Sequence, residues 1–373
     1  MEGSKKKNIL LVYKTNHLVS FGGIESFIGS ICNNINKDKF NFRVLSVSNN
    51  VNTTCHKKIN GIEFISYKEN FSISSNSFSI NLLINYKNHT NWADLIHYNF
   101  PWPYGDFMHW ILNIKKPYIV TYHSDIYRQK FLLIFYKPLM YYFLRNAKLI
   151  ISSSKEYSSS SSILKRYKKI EIIPFGIDTP SINKSKIKKD KLLFKKNDYF
   201  IFVGVFRYYK NLFQLIKAFK GLEENLIIVG DGYLMPEIMK YIKSNKISNI
   251  KLAGEVNDDT KYKLISDCKA FILPSNKRSE AFGISLLEAA ALKKPMITCD
   301  IKSGMASINI NNKTGFYFQS GDIDSLKAAV KKLNNNDTIK VLGNNSFNHF
   351  KKFFTLQKMI NSYEKIYQRS YSS

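Results

Sequence analysis

Short apolar runs recur along the chain, with helix-length stretches of mixed polarity between them. The first series is Ile9 to Tyr13, Phe42 to Val47, Ile62 to Ile65, Leu95-Ile96, Tyr118 to Tyr122, Leu149 to Ile151 and Ile170 to Ile173. Runs apolar at consecutive positions have no face to show to water, so they predict strands covered on both sides: a parallel sheet with helical crossovers. After Ile173 the pattern stops. Pro174-Phe175-Gly176-Ile177-Asp178-Thr179-Pro180 leads into a lysine-rich stretch to about Asn197, a composition that predicts an interdomain connection. The pattern then restarts with Tyr199 to Val203, Leu226 to Val229, Ile250 to Leu252, Ala270 to Leu273, Met296 to Thr298 and Gly315 to Phe318. A helical stretch, roughly Ile339 to Gln368, ends the chain. The expected fold class is α/β with two doubly wound parallel-sheet domains, residues 1–175 and 198–350. Residues 176–197 connect them, and a terminal helix in 351–373 is expected to pack back on the first domain.

A length of 373 residues suits two such domains, and 44% hydrophobic residues supply two cores. The charge balance adds a question about partners. Fifty-six Lys and Arg against 28 Asp and Glu leave a net charge of +28, which would draw the chain to nucleic acid, an anionic membrane surface or a phosphorylated substrate. Much of this is lysine scattered among asparagines, and the run Lys184, Lys186, Lys188, Lys189, Lys191, Lys195 and Lys196 reads as solvated. No zinc-finger spacing or aromatic ribonucleoprotein phrase is present, so no specific nucleic-acid partner is expected.

The most apolar stretch, Phe131 to Leu144, is broken by Lys137-Pro138 and is shorter than the roughly 20 residues of a spanning helix. A core helix is the expectation. With Arg128, Lys130, Arg145 and Lys148 at its ends, a helix lying on a membrane surface is the alternative. The polar N-terminus, Met1 to Lys7, lacks the apolar core of a secretory signal, so a cytoplasmic location is expected, with peripheral membrane attachment left open. Cys32, Cys55, Cys268 and Cys299 have no metal-ligand spacing and read as free thiols, and no metal site is expected.

Ligands of open parallel sheets bind beyond the carboxyl ends of the strands, so the loops there carry the candidate chemistry. In Ser279-Glu280-Ala281-Phe282-Gly283-Ile284-Ser285-Leu286-Leu287-Glu288, two carboxylates stand eight positions apart around a glycine at a predicted helix start. A little over two helical turns brings Glu288 back towards the side that Glu280 overlooks, and the glycine lets backbone amides approach an anion or a sugar hydroxyl.

At this string the chain resembles the retaining glycosyltransferase family 4, whose members carry a Glu, seven residues, then a Glu in such a phrase. Other phrases agree in order and spacing: Gly22-Gly23-Ile24-Glu25, Asp94 to His97, His123 to Ile126, Ile172 to Asp178, Tyr208 to Asn211 and Val229 to Gly232. The closest likeness is to bacterial mannosyl- and rhamnosyltransferases of surface-polysaccharide assembly, chiefly through His123 to Lys130 and Arg207 to Lys210. The resemblance implies the GT-B fold, two Rossmann-like domains facing across a cleft, and metal-independent retaining transfer of a hexose from a nucleotide-sugar to a glycan or lipid-linked acceptor. It implies mannose from GDP-mannose as the first expectation, with UDP-sugars open, and no further cofactor.

Residue by residue, it implies that Glu280 contacts the donor sugar and Glu288 the nucleotide ribose. Phe282, Gly283 and Ile284 would offer backbone amides, with Gly254 and the Gly22-Gly23 loop also on the donor. Arg207 and Lys210 would receive the departing diphosphate, and His123 would touch the donor sugar. The family often has Arg directly after the glycine ending this strand, where this sequence has Val205. On the acceptor side the candidates are His97 and Trp102, in a loop rich in aromatic residues and proline, with Asp125 and Arg128. Two rivals remain at this point: a nucleotide-sugar epimerase on the same scaffold, and a basic non-enzymatic adaptor for membrane or nucleic acid.

Overall fold

The computed structural model describes residues 6–18, 22–73, 76–126, 130–188, 191 and 193–370. They fall into two compact units, one of residues 1–153, 158–174 and 356–373, the other of residues 154–157 and 175–355.

The first unit runs β1 (Lys7–Val12), α1 (Gly23–Asn34), β2 (Phe40–Ser48), β3 (Cys55–Ile59), β4 (Ile62–Lys68), β5 (Phe71–Ile73), β6 (Asn76–Phe78), α2 (Ile80–Trp92), β7 (Leu95–Phe100), α3 (Pro103–Ile111), β8 (Tyr118–Tyr122), α4 (Lys130–Asn146), β9 (Leu149–Ser152), the second half of α5 (Lys155–Ser160) and β10 (Ile170–Ile172). Eight strands form one sheet in the order β10-β9-β8-β7-β1-β2-β4-β3. All neighbours are parallel except β3, which pairs antiparallel with β4. Two elements carry no apolar run and were not expected. The edge strand β3 is Cys-His-Lys-Lys-Ile and almost fully exposed, a polar, lysine-bearing edge that discourages further pairing. The small ribbon β5–β6 stands outside the main sheet.

The second unit contains β11 (Tyr199–Val203), α6 (Leu212–Lys220), β12 (Asn225–Val229), α7 (Met235–Ser244), β13 (Ile250–Gly254), α8 (Asp258–Asp267), β14 (Phe271–Leu273), α9 (Ile284–Ala291), β15 (Met296–Cys299), α10 (Met305–Ile308), β16 (Gly315–Phe318), α11 (Ile323–Lys331) and α12 (Asn336–Phe353). Its six strands are parallel, in the order β13-β12-β11-β14-β15-β16. The stretch read as a connection lies along α8 of this unit: the Asn183 N–H donates to Asp259 Oδ1 at 2.7 Å and the Lys188 N–H to Thr260 Oγ1 at 2.9 Å.

The chain breaks its last helix at Phe354-Thr355, and α13 (Leu356–Ser370) belongs to the first unit. Its buried tyrosines carry the attachment. Tyr367 Oη is 2.8 Å from His97 Nδ1, and Tyr363 Oη is 3.1 Å from Thr121 Oγ1. Glu364 accepts from the Asn36 N–H at 2.8 Å, and Arg369 pairs with Glu171. Burying two tyrosines this way leaves each hydroxyl satisfied, so the apolar gain is not spent on stranded polar atoms.

Candidate active site

Each sheet changes winding direction once, between β1 and β7 in the first unit and between β11 and β14 in the second. At such a point the loops leaving the two strands part to opposite faces and open a crevice outside their carboxyl ends.

In the second unit this topology brings together residues far apart in sequence. Beyond β11 the chain turns through Arg207 into a short 3-10 turn, Tyr208–Lys210. The side chain of Lys210 is only 10% exposed and forms an ion pair with Glu280, which arrives on the loop after β14. Glu280 also accepts from Ser275 Oγ at 2.9 Å. Arg207 is exposed and bonds to the half-buried Tyr209, whose hydroxyl burial pushes to a higher pKa. Val205, where the family often has Arg, points to solvent at 52% exposure, so Arg207 is the guanidinium this loop offers. The loop is held from behind by backbone contact. The Phe206 N–H donates to Asp231 O at 2.7 Å and the Gly204 N–H to Val229 O at 3.0 Å. A Cβ on Gly230 would lie 2.2 Å from Gly204 O, and one on Gly232 2.7 Å from Phe206 O.

The predicted helix start is also found. Gly283, at φ +86°, caps α9 and Ile284 is its first residue, so the left-handed turn falls on the one residue type that adopts it freely. Phe282 is buried, its ring 5.0 Å from Phe175 and 6.1 Å from Phe354, so only its backbone faces the loop chemistry. Glu288, on α9, is held by Lys261 of α8 at 2.8 Å. Burial pushes the Glu288 carboxyl up, while the Lys261 ammonium pulls it down. Burial likewise opposes the charge on Lys261, but Glu288 and Asp258 outweigh it and hold the ammonium above its usual range. Lys261 was not foreseen, because one lysine among many carries no signal. Gly254, at φ +66°, ends β13 beside open space: a Cβ there would meet nothing within 4 Å.

In the first unit, His123 follows β8 and is buried, its Nε2 2.9 Å from Asn99 Oδ1 and its ring 5.2 Å from Phe27 of α1. An amide oxygen only accepts, so Nε2 carries the proton and Nδ1 presents a lone pair. Burial, reinforced by the nearby His97, lowers the His123 pKa to about 3, so the ring is neutral near pH 7. Asn99 was also missed. Its buried Nδ2 has no hydrogen-bond partner among the described residues, an uncompensated donor beside the candidate histidine. Gly22 caps α1 and Gly23 begins it; the Glu25 carboxylate folds back so closely that a Cβ on Gly22 would collide with it.

The acceptor-side expectations need correction. His97 is not in a loop: β7 runs on to Phe100, and His97 lies fully buried in mid-strand between Tyr367 and Thr121 Oγ1, the latter at 2.7 Å. Burial lowers its pKa to about 3. It supports the sheet and is closed to an acceptor. Trp102 is buried at the start of α3, donating to Ser77 O at 3.3 Å, so its ring is core, not a sugar platform. Asp125 accepts from Tyr122 Oη at 2.8 Å and Ser161 Oγ at 2.6 Å, which ties the loop after His123 to the segment before β10. Arg128 lies outside the described residues. Among the described residues no cluster of three or more His, Cys, Asp or Glu could hold a metal ion.

Comparisons with known proteins identify the family and the fold. The profile of the family described as Glycosyltransferase Family 4 matches residues 21–180, and that of Glycosyl transferases group 1 matches residues 183–349. The chain is 35% identical to O-antigen chain mannosyltransferase C of Escherichia coli, over 96% of this chain and 97% of the relative. It is 33% identical to D-rhamnosyltransferase WbpZ of Pseudomonas aeruginosa, over 93% and 92%. Among solved structures, the fold matches sucrose-phosphate synthase from Thermosynechococcus elongatus with a TM-score of 0.76 at 15% identity, covering 98% of this chain and 99% of that one. It matches Anabaena HepE in complex with UDP and glucose with a TM-score of 0.76 at 16% identity, covering 97% and 99%. Transfer, not epimerisation or adaptor binding, is therefore the chemistry of this scaffold, and the chain belongs to the family 4 glycosyltransferases of GT-B fold.

Proposed function

We propose that this glycosyltransferase moves a hexose of manno configuration, first of all mannose from GDP-mannose, to a glycan or lipid-linked saccharide in surface-polysaccharide assembly, with retention of anomeric configuration and without a metal. The single observation that carries the reading is the Lys210–Glu280 pair at the winding reversal of the second sheet, with Glu288 in the first turns of the helix that follows the Glu280 loop. A diphosphate gains charge as the glycosidic bond breaks, and a fixed ammonium in a water-poor crevice stabilises that charge far better than water does. Lys210, with Arg207 beside it, fills this role; Glu280 turns to the sugar hydroxyls once the anion takes its place on Lys210. Mannose and D-rhamnose, the sugars named for the two relatives, share the axial 2-hydroxyl and differ at C6, which favours a manno donor. In this reading the acceptor hydroxyl attacks from the face the diphosphate leaves, and a departing phosphate oxygen takes its proton. An acceptor on a lipid carrier would bring the enzyme to an anionic membrane surface.

The test is turnover of a panel of nucleotide-sugars in the presence of EDTA, with the product anomer read by NMR. GDP-mannose is expected to be used best, and Lys210→Met to lower kcat by about a hundredfold or more. Preference for a gluco donor, an inverted anomer, or full activity of Lys210→Met contradicts the proposal.

A further inference from the structure

Helix α4 carries large apolar side chains on its uncovered side as well as on the side facing the core. Met140, Phe143 and Leu144 face the core. On the opposite side, set by the helical repeat, stand Ile134 at 60%, Phe135 at 83% and Tyr142 at 54% exposure. Neighbouring α3 adds Trp110 and Ile111, each 50% exposed. Trp110 and Tyr142 line one shallow depression together with Lys115, Lys116, Lys148 and Lys169. Large apolar side chains interspersed with basic ones on the outer face of a helix suit the boundary of a lipid layer. A contiguous exposed patch of this kind marks a contact surface.

Charge identifies the occupant. From Phe107 to Lys155 the only acidic residue is Asp125, against Lys115, Lys116, Lys137, Arg145 and Lys148, and Lys137 and Arg145 lie exposed on α4 itself. A second copy of this chain would bring the same cations face to face, which opposes self-association. No helix among the described residues is long and apolar enough to cross a membrane. Aromatic and aliphatic side chains rimmed by lysine and arginine fit the boundary between acyl chains and anionic headgroups.

We infer that the outward face of α4, extended by Trp110 and Ile111, docks the enzyme on an anionic bilayer with the helix lying in the interface. The inference rests on the proposed lipid-linked acceptor, since such a substrate confines its enzyme to a membrane surface.

The experiment is co-sedimentation of the full chain with vesicles of mixed phosphatidylglycerol and phosphatidylcholine, against pure phosphatidylcholine, at low and high salt. Ile134→Ser with Phe135→Ser is expected to weaken binding to mixed vesicles about tenfold or more, and Lys137→Gln or Arg145→Gln about fivefold each. Circular dichroism and transfer to a water-soluble acceptor should be unchanged in these variants. Lack of wild-type binding at low salt overturns the inference. So does equal binding by the Ser variants, which would assign adsorption to the bulk charge of the chain. Self-association that the Ser variants abolish, without vesicle binding, overturns it in favour of a protein interface. If vesicle binding follows expectation while no acceptor is glycosylated, the docking face stands and the proposed function fails.

Discussion

Removing Lys261 isolates the energetics of the candidate ribose site. Glu288 is 13% exposed at its side chain and Lys261 18%, with 2.8 Å between ammonium and carboxylate. Lys261→Met keeps the length of the side chain and deletes the charge, leaving a buried carboxylate with the Tyr262 hydroxyl but no cation. Breaking one side of a buried pair costs about 3–5 kcal/mol when the remaining charge must stay ionised. Glu288 has an escape, because it can take up a proton. From its ordinary value of 4.5, holding it protonated at pH 7 costs about 1.4 kcal/mol per pH unit, which caps the penalty at about 3.4 kcal/mol. The sign follows from the direction of the shift. The lone carboxyl has a folded-state pKa raised above its unfolded value, so the penalty is absent below the unfolded value and grows as pH rises towards the folded one. Urea unfolding of Lys261→Met should show a loss of about 2–3 kcal/mol at pH 7 and under about 1 kcal/mol at pH 5. The double variant Lys261→Met/Glu288→Leu should recover most of the loss at pH 7, because no charge is then buried unpaired. A loss of equal size at both pH values would refute the reasoning and leave only the packing of the lysine stem.

Four further outcomes concern the first unit's histidines and the loops behind Lys210. His123 and His97 are both held near pKa 3, so wild-type kcat/KM should show no histidine limb between pH 5 and 8. Asn99→Asp sets a carboxylate 2.9 Å from His123, raises its pKa, and should make activity fall as pH drops through the new value; a flat pH profile in this variant counts against Asn99 fixing the tautomer. Gly230→Ala meets both a φ of +121° and the Gly204 carbonyl, and should destabilise by about 3 kcal/mol or more. Gly254→Ala, at φ +66° beside open space, should cost only about 1 kcal/mol, and equal unfolding midpoints for the two would show that backbone contact does not hold the loop.

The parallel strands were legible because a strand covered on both faces must be apolar at consecutive positions, as Tyr199 to Val203 and Tyr118 to Tyr122 are. Strand β3 was not, because an edge strand half in water has no such constraint. The loops carrying Lys210 and Glu280 were legible as strand ends with the right residue types. Their ion pair was not, because it depends on β14 lying beside β11 although two other strands separate them in sequence. Strand order is a property of crossovers, which local pattern does not encode.

His97 shows the same limit from the other side. Polar residues in Leu95-Ile96-His97-Tyr98-Asn99-Phe100 interrupt the apolar pattern after two positions, so the strand seemed to end and the histidine seemed to stand in a loop. The strand continues because each interruption finds a partner elsewhere: His97 in Tyr367 and Thr121, Tyr98 in Tyr86 and His109, and the Asn99 side-chain oxygen in His123, only the Asn99 amide nitrogen being left over. Tyr367 lies 270 positions away and reaches His97 only because α13 returns to the first unit. A buried imidazole without that partner would cost enough to expel it from the strand. The burial of His97 thus depends on the last helix of the chain, whereas His123, just past the end of the neighbouring strand, takes its Asn99 partner from within the same sheet.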